Sequence, residues 1–256
     1  MLMAVRVRIL SIKVCGIVLK ENITRESDRV ITVLTNSGII RAYAKAAKNI
    51  KSKKFTATSP LCYSEFVLRE GGDLYIVNSA EEIEIFYNLR NDIERLSLAQ
   101  YFCELLSSVA PEETDCEEIL RLTLNSLHFL CSETKSIYLV KSVFEMRLMC
   151  LLGFMPDLVA CKGCAKFEDS TVFFDVFNSS IYCAECLPQK SGNYIKSSLS
   201  ELSVLRHIVY SDFNKIFGFT ASEDSLRAVS SLCERYVEAM VERHFRTLDY
   251  FNSVRI

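Results

Sequence analysis

The sequence predicts an α+β protein: an N-terminal antiparallel five-stranded barrel is followed by an α-helical domain with an inserted four-cysteine zinc ribbon. Two observations support this prediction. The hydrophobic pattern changes from a period of two before Ala80 to a period of three or four after it, and two C-x-x-C pairs lie late in the chain. The predicted domains are residues 1–80 and residues 81–256, with the zinc-binding insertion at about 157–190.

Short β-rich runs fill the first domain, each bounded by turn-forming or charged residues. The predicted strands are Val14–Leu19, Val30–Leu34, Ile39–Ala44, Leu61–Leu68 and Leu74–Val77. Five strands in about seventy residues predict a closed barrel, because an isolated hairpin leaves edges unpaired and one face uncovered. The OB-fold is the simplest barrel with this number of strands. Asn36-Ser37-Gly38 predicts a hairpin turn between the second and third strands.

Helical spacing of apolar residues follows Ala80, with recognisable start and stop signals. Thr114-Asp115-Cys116-Glu117 and Ser198-Leu199-Ser200-Glu201 predict capping boxes at two helix starts. Gly153, with Pro156 after it, predicts the end of a helix that begins near Ile137. A last long helix is predicted from about Ser225 through His244.

The strongest local signal is a pair of C-x-x-C motifs separated by eighteen residues. Cys161 and Cys164 form the first pair, and Cys183 and Cys186 form the second. This spacing is typical of a four-cysteine site for one Zn²⁺ ion, and four thiolates leave no position for water or substrate. We therefore predict a structural zinc ion. The odd total of eleven cysteines fits reduced thiols plus a metal site better than a disulfide framework.

The formal net charge of -2 hides an asymmetry between the two parts of the chain. Residues 1–80 contain thirteen Lys or Arg and six Asp or Glu, whereas the remainder contains seventeen and twenty-six. A basic end on a near-neutral protein favours a polyanionic partner such as nucleic acid, although a solvated positive surface gives the same charge. Lysines on a solvated loop pair with phosphates without reading bases.

We predict that basic side chains of the barrel and of the lysine-rich stretch after its third strand contact DNA phosphates. They are Arg25, Arg29, Arg41, Lys45, Lys48, Lys51, Lys53 and Lys54.

Motifs of common enzyme classes are missing from the sequence. There is no G-x-x-x-x-G-K-[ST], G-x-G-x-x-G or G-x-S-x-G run, and the three histidines fall in separate helical patterns. We therefore predict a non-enzymatic protein. No apolar run approaches the roughly 20 residues that cross a bilayer, so we expect a cytoplasmic protein with no membrane partner.

Six motifs in the same order resemble the bacterial recombination mediator family RecO. They are Gly16-Ile17-Val18-Leu19-Lys20, Glu26-Ser27-Asp28-Arg29-Val30, Ala44-Lys45, Leu74-Tyr75-Ile76-Val77-Asn78-Ser79-Ala80-Glu81, Phe144-Glu145-Met146-Arg147-Leu148 and Leu152-Gly153-Phe154-Met155-Pro156-Asp157-Leu158. One departure concerns the lysine-rich stretch, where Lys45 is followed by Ala46-Ala47 instead of the Gly-Ala usual in the family. Because alanine disfavours a positive φ, the family pattern does not fix the course of this stretch.

The resemblance implies a cytoplasmic, nucleoid-associated bacterial protein that binds single- and double-stranded DNA and anneals complementary strands. It also implies association with RecR and with the acidic C-terminal tail of the single-stranded-DNA-binding protein, and thereby indirect action on RecA, which is loaded onto coated single strands during repair. For the acidic tail we predict a basic pocket in the helical domain. Its candidate residues are Arg121, Lys141 and Arg147.

Two other functions stay open at this point. An OB-like barrel with a zinc ribbon also suits a scaffold that binds RNA or proteins in transcription or translation. A metal-dependent nuclease or deaminase would instead need an open ligand position on the metal.

Overall fold

The barrel consists of five strands and closes on itself. The computed structural model describes residues 11–24, 27–52, 54–188 and 192–255. The strands are β1 (Ser11–Ile23), β2 (Arg29–Thr35), β3 (Gly38–Ala44), β4 (Cys62–Glu70) and β5 (Tyr75–Ile85). Their order around the barrel is β1-β2-β3-β5-β4, and the short β3–β5 contact is parallel while the other neighbours are antiparallel. The predicted OB-fold is confirmed.

Alternating side chains of the strands fill the barrel interior, as a period of two requires. Val18, Ile31, Val33 and Phe66 belong to the buried cluster inside the barrel. The short helix α1 (Lys54–Ala57) lies between β3 and β4 in the chain and contributes Ala57 to the same cluster. α1 was not predicted, because four residues are too few for a periodic pattern.

The hairpin between β2 and β3 is held by the segment that precedes the third helix. Gly38 has a φ of 104°, and a Cβ there would lie 2.8 Å from the Pro111 carbonyl oxygen. The Ile39 N–H donates to that carbonyl at 2.9 Å, and the Cys116 N–H donates to the Asn36 carbonyl at 2.7 Å. Only glycine meets both the positive φ and the close backbone approach, so Asn36-Ser37-Gly38 forms the predicted turn.

Six longer helices follow the barrel, and none among the described residues is long and apolar enough to cross a membrane. They are α2 (Ile93–Val109), α3 (Glu117–Ser132), α4 (Ile137–Leu151), α5 (Leu199–Tyr210), α6 (Glu223–Val241) and α7 (Arg246–Val254).

The helix ends confirm some sequence signals and contradict others. Ser198 and Glu201 form the predicted capping box of α5, and Gly153 follows α4 with a φ of 91°. The capping box predicted at Thr114 was wrong, because α3 begins at Glu117 and the Thr114 hydroxyl donates to the Glu112 carbonyl. The last long helix is confirmed from its start, since α6 begins at Glu223, but its predicted end at His244 was wrong, because α6 ends at Val241 before a residue with a φ of 51°.

Two compact units share the chain, divided within α3 after Arg121 and again after Arg246. The first contains the barrel, α2 and α7, and the second contains α4, α5, α6 and a small sheet. These divisions differ from the predicted domains 1–80 and 81–256, which stay a prediction.

The small sheet is a three-stranded antiparallel ribbon. Its strands are β6 (Thr171–Asp175), β7 (Ser180–Cys183) and β8 (Tyr194–Ser198), in the order β7-β6-β8. The β6–β7 hairpin lies between the two cysteine pairs in the chain. The residues of β8 lie directly before the N-cap of α5. The sequence pattern there indicated a helix start, so the strand was not recognised.

Candidate metal centre and nucleic-acid interface

Cys161, Cys164, Cys183 and Cys186 converge at one end of the ribbon. Their four Sγ atoms lie within 4.8 Å of one another. Cys161 Sγ is 3.6 Å from Cys183 Sγ, and Cys164 Sγ is 3.8 Å from it. A tetrahedral centre with metal–sulfur bonds of about 2.3 Å places its sulfur atoms about 3.8 Å apart. The donor set therefore fits a metal ion with four thiolate ligands and a closed coordination sphere.

Backbone N–H groups point at the cluster and favour ionised sulfur. The N–H groups of Cys183 and Gly163 donate to Cys161 Sγ at 3.3 and 3.4 Å. Burial opposes ionisation of the Cys161 thiol, but these donors, with the Cys164 N–H, lower its pKa to about 6. Hydrogen bonds to Cys164 and Cys183 raise the pKa of Cys186 to about 12, so the cluster ionises fully at neutral pH only with a cation bound.

The loop that carries the first cysteine pair has no space for a side chain at Gly163. A Cβ on this residue would lie 2.7 Å from Cys186 Cβ and 3.0 Å from Cys186 Sγ. The loop itself is closed by hydrogen bonds from the Ala165 N–H to the Cys161 carbonyl and from the Cys161 N–H to the Lys166 carbonyl. Glycine between the two cysteines thus allows the second pair to approach the first.

Arg206 of α5 joins this loop to the helical unit, and sequence reasoning missed it. Its Nε donates to the Leu158 carbonyl at 2.7 Å, and its Nη2 donates to the carbonyls of Val159 and Phe167 at 2.8 and 2.6 Å. The guanidinium also lies 4.2 Å from the centre of the Phe167 ring. These contacts hold the chain on both sides of the first cysteine pair, and no sequence signal distinguishes Arg206 from other helical arginines.

The second candidate surface is the stretch between β3 and α1, whose described residues 45–52 are here called the basic loop. Lys45, Lys48 and Lys51 are exposed on it, and so is Arg41 on β3. Successive turns order the loop: the Asn49 N–H donates to the Ala46 carbonyl, the Ser52 N–H to the Asn49 carbonyl and the Phe55 N–H to the Ser52 carbonyl. An ordered loop of exposed lysines is a surface that phosphates can contact.

Asp28 holds the start of the basic loop. Its carboxylate accepts hydrogen bonds from the Ala46 N–H at 2.8 Å and from the Tyr43 hydroxyl, and Asp28 is buried. The Lys48 N–H donates to the neighbouring Ser27 carbonyl at 2.9 Å. Ala46 has a φ of 54°, so the backbone keeps a left-handed conformation although alanine stands where the resemblance implies glycine.

Replacing Ala46 with glycine is expected to stabilise the protein by about 0.5 to 1 kcal/mol. A left-handed conformation costs alanine about 1 to 2 kcal/mol, which exceeds the extra entropy that glycine loses on folding. Urea unfolding measures the difference, with Ala47→Gly as the control, because Ala47 is fully buried and has no positive φ. If both glycine variants lose stability equally, the left-handed conformation at Ala46 is not populated in solution.

Arg29 holds the end of the basic loop, which corrects its predicted role in DNA binding. Only 4% of Arg29 is exposed, and its Nε lies 3.0 Å from the Glu21 carboxylate. Its Nη1 donates to the Phe55 carbonyl and to the hydroxyls of Thr58 and Ser59. A guanidinium enclosed by these partners does not reach a phosphate in solvent. Arg29 is an internal anchor and leaves the set of candidate DNA contacts.

Comparison with known proteins matches both parts of the chain to one family. The model described as "Recombination protein O N terminal" matches residues 10–86, and the one described as "Recombination protein O C terminal" matches residues 90–249. The chain belongs to the RecO family.

Curated relatives agree with the family models over nearly the whole chain. The DNA repair protein RecO of Acetivibrio thermocellus is 36% identical over 244 residues, which cover 95% of this chain and 97% of that one. The DNA repair protein RecO of Caldicellulosiruptor saccharolyticus is 30% identical over 245 residues, with 95% and 99% covered.

Of the three remaining candidate DNA contacts in this RecO-family chain, the structure describes Lys54 alone. Lys54 is half-buried on α1, and its Nζ donates to the Val77 carbonyl at 2.8 Å. This hydrogen bond ties α1 to β5. Burial also lowers the pKa of the Lys54 ammonium, so Lys54 is a poorer phosphate ligand than the exposed lysines. Arg25 and Lys53 lie outside the described residues.

The sheet register adds Lys20, which sequence reasoning missed. Lys20 on β1 pairs with Thr32 on β2, and Thr32 pairs with Arg41 on β3. Lys20 is exposed, and its side chain shares the outer face with Arg41, two strand spacings of about 4.8 Å away. The β2–β3 register could be predicted from the sequence, because the hairpin turn fixes it. The β1–β2 register could not, because it contains a bulge after Val18.

The three residues predicted for the acidic tail differ in burial. Arg121 is exposed on α3. Lys141 is fully buried on α4, with its Nζ 2.9 Å from the Glu145 carboxylate and 3.1 Å from that of Glu234. Arg147 is half-buried and donates to the carbonyls of Ile208, Val209 and Ser211 at the end of α5. Lys141 is therefore removed as a candidate, because its charge is neutralised in the core.

Proposed function

We propose that this RecO-family protein is a non-enzymatic recombination mediator that works on cytoplasmic, nucleoid-associated DNA. It binds single- and double-stranded DNA and anneals complementary strands. With RecR it helps to load RecA onto single strands coated by the single-stranded-DNA-binding protein. Family membership and the names of the relatives, which are DNA repair proteins, support this proposal.

The observation that carries the proposal is the basic loop on the OB-fold barrel. Lys45, Lys48 and Lys51 are solvated, and buried contacts of Asp28 and Arg29 hold the two ends of the loop. Ammonium groups placed in this way contact phosphates and read no bases, which suits a protein that must act on any sequence. Arg41 and Lys20 extend the positive surface across β3 and β1.

Annealing follows from charge neutralisation and needs no covalent step. Two complementary strands repel each other through their phosphates, and lysines that contact both strands lower this repulsion and release counterions. Base pairing then supplies the specificity. Neither ATP nor a catalytic residue is needed for this reaction.

The four-cysteine cluster holds one structural Zn²⁺ ion in this proposal. Cys161, Cys164, Cys183 and Cys186 occupy all four positions of a tetrahedral site, so the ion supplies folding stability and no catalysis. Arg206 of α5 donates to backbone carbonyls on either side of Cys161 and so fixes the cysteine loop against α5. The ribbon thereby becomes a fixed part of the helical unit.

The helical part is proposed to contact RecR and the acidic tail of the single-stranded-DNA-binding protein. Among the predicted tail residues, Arg121 has an exposed side chain that an acidic peptide can reach. Arg147 offers an acidic peptide only part of its guanidinium, because its Nη1 donates to the Val209 carbonyl at the end of α5.

Replacing Lys45, Lys48 and Lys51 with alanine is expected to weaken single-stranded-DNA binding and to flatten its salt dependence. Each lost phosphate contact reduces the slope of log K against log salt by about 0.7, so the triple variant loses about 2 in slope. Fluorescence anisotropy of a labelled oligonucleotide over a salt series measures both quantities. An unchanged slope would remove the basic loop from the DNA-binding surface.

The matched control replaces three lysines outside the barrel, Lys135, Lys196 and Lys215, and changes the net charge equally. This variant is expected to keep the wild-type slope. Parallel titrations with RNA of the same length and with an acidic tail peptide test the alternative scaffold function. Binding of RNA or peptide without binding of DNA by the folded wild type would contradict the mediator proposal.

A further inference from the structure

A cleft of about 770 Å³ lies beside the barrel and carries a charge opposite to that of the basic loop. Its floor is apolar and consists mainly of Ile12 and Val14 from β1, Ile39 and Ile40 from β3, and Tyr75 from β5. The barrel interior supports this floor, because Ile12, Val14, Ile40 and Tyr75 pack against the core cluster.

The rim of the cleft is acidic. Asp73, Glu112, Glu113 and Asp115 are all exposed along it, and Arg41 is the one basic residue among those that line the described cleft. Four carboxylates facing one guanidinium repel a phosphate backbone and attract a cationic ligand. An apolar floor within an acidic rim fits a ligand that carries both apolar and cationic groups.

One wall of the cleft presents backbone that an extended chain can pair with. β1 pairs with β4 from Ser11 onward but with β2 only from Gly16 onward. The β2-side edge of residues 11–15 therefore has no strand partner within the described part of the chain. An added strand would bond to this edge and point alternate side chains to the floor and to the rim.

The opposite wall is already in place. The Pro111 carbonyl accepts from the Ile39 N–H, and the Asn36 carbonyl accepts from the Cys116 N–H, so the acidic segment is fixed against the β2–β3 hairpin. A cleft whose walls are hydrogen-bonded in the free protein costs little entropy to order on binding.

From these features we propose that the cleft is a docking site for an extended segment of a partner protein in which apolar residues alternate with arginine or lysine. The apolar residues contact the floor around Tyr75, and the basic residues pair with Asp73, Glu112 and Glu113. The acidic rim and the basic loop are thus oppositely charged and bind different partners.

Anisotropy titration of the full chain with a labelled hexapeptide of alternating valine and arginine tests the proposal. The variant Asp73→Asn, Glu112→Gln, Glu113→Gln is expected to weaken binding at least tenfold. The control Glu81→Gln, Glu82→Gln, Glu84→Gln removes three exposed charges from β5, outside the cleft, and is expected to bind as the wild type does. Equal weakening in both variants would mean general charge attraction and would overturn the proposal.

Two further peptides separate the contribution of charge to binding from that of apolar contact. Glutamate in place of arginine, or serine in place of valine, is expected to abolish binding; retention by the serine peptide would contradict a role for the apolar floor. The chain has the same pattern at Val5-Arg6-Val7-Arg8, outside the described residues. Arg6→Ala with Arg8→Ala is expected to leave peptide affinity unchanged, and a tenfold gain would identify the chain's own segment as the occupant and overturn a partner.

Discussion

Replacing Cys161 and Cys183 with serine is expected to abolish stoichiometric metal binding and to lower the melting temperature by roughly ten degrees. These two cysteines are the buried members of the cluster, and Cys161 Sγ accepts two of the backbone N–H groups that favour the thiolate. Serine is a poor ligand for the metal because its hydroxyl does not ionise at neutral pH. Elemental analysis of the purified protein measures metal content, and circular dichroism measures the melting temperature.

Cys131→Ser is the control for this experiment. Cys131 is a half-buried free thiol on α3, outside the cluster. This variant is expected to retain one metal ion per chain and to melt close to the wild type. One full equivalent of metal in the Cys161→Ser, Cys183→Ser variant would show that the ion is held elsewhere.

Replacing Lys141 with methionine is expected to destabilise the protein by about 3 to 5 kcal/mol. The fully buried ammonium pairs with the carboxylates of Glu145 and Glu234 and donates to the Ser230 carbonyl. Without it, the buried carboxylate of Glu145 loses its ammonium partner in the core of the α4–α6 packing. Urea denaturation at neutral pH measures the loss.

A second variant separates charge from packing at this position. Lys141→Met combined with Glu145→Leu replaces the closest ion pair by apolar side chains and is expected to recover most of the lost stability. If the double variant is as unstable as the single one, the loss at Lys141 comes from shape and not from charge.

The same ion cluster gives the stability an alkaline dependence. Burial lowers the pKa of Lys141, but Glu145 and Glu234 together raise it above its ordinary 10.5. A group whose pKa is higher in the folded state than in the unfolded state stabilises the fold fully at pH values below its unfolded-state pKa. This stabilisation is lost as the pH rises through the folded-state pKa. The contribution is therefore complete at neutral pH and is lost above about pH 10.5. The double variant should lack this part of the alkaline loss.

The fold was largely predictable because its signals are local. Strand alternation, the Asn36-Ser37-Gly38 turn and the Ser198 capping box each depend on residues within a few positions of one another. β5 was predicted too short because residues Glu81–Ile85 are exposed and acidic, and only their pairing with β4 makes them a strand. α7 was missed because nothing in the α6 pattern marks the break at Glu242.

The two candidate sites differ in how far the sequence determined them. Four cysteines at fixed spacing converge because the hairpin between them leaves few other arrangements. Charge alone did not separate Arg29 from Arg41, since burial depends on the loop that folds over Arg29. For Lys141 a signal was present: α4 is apolar on nearly all faces, so a lysine within it had to be buried and paired.

Asp28 and Arg29 are adjacent in the chain and hold the two ends of the basic loop. The loop therefore begins and ends at neighbouring anchors on the barrel. Residues inserted or deleted between the two anchors alter closure entropy by only about 0.6 kcal/mol for a doubling of length. The number of lysines can therefore change over evolution without altering the barrel. Affinity for DNA is adjustable at this place independently of the stability of the fold.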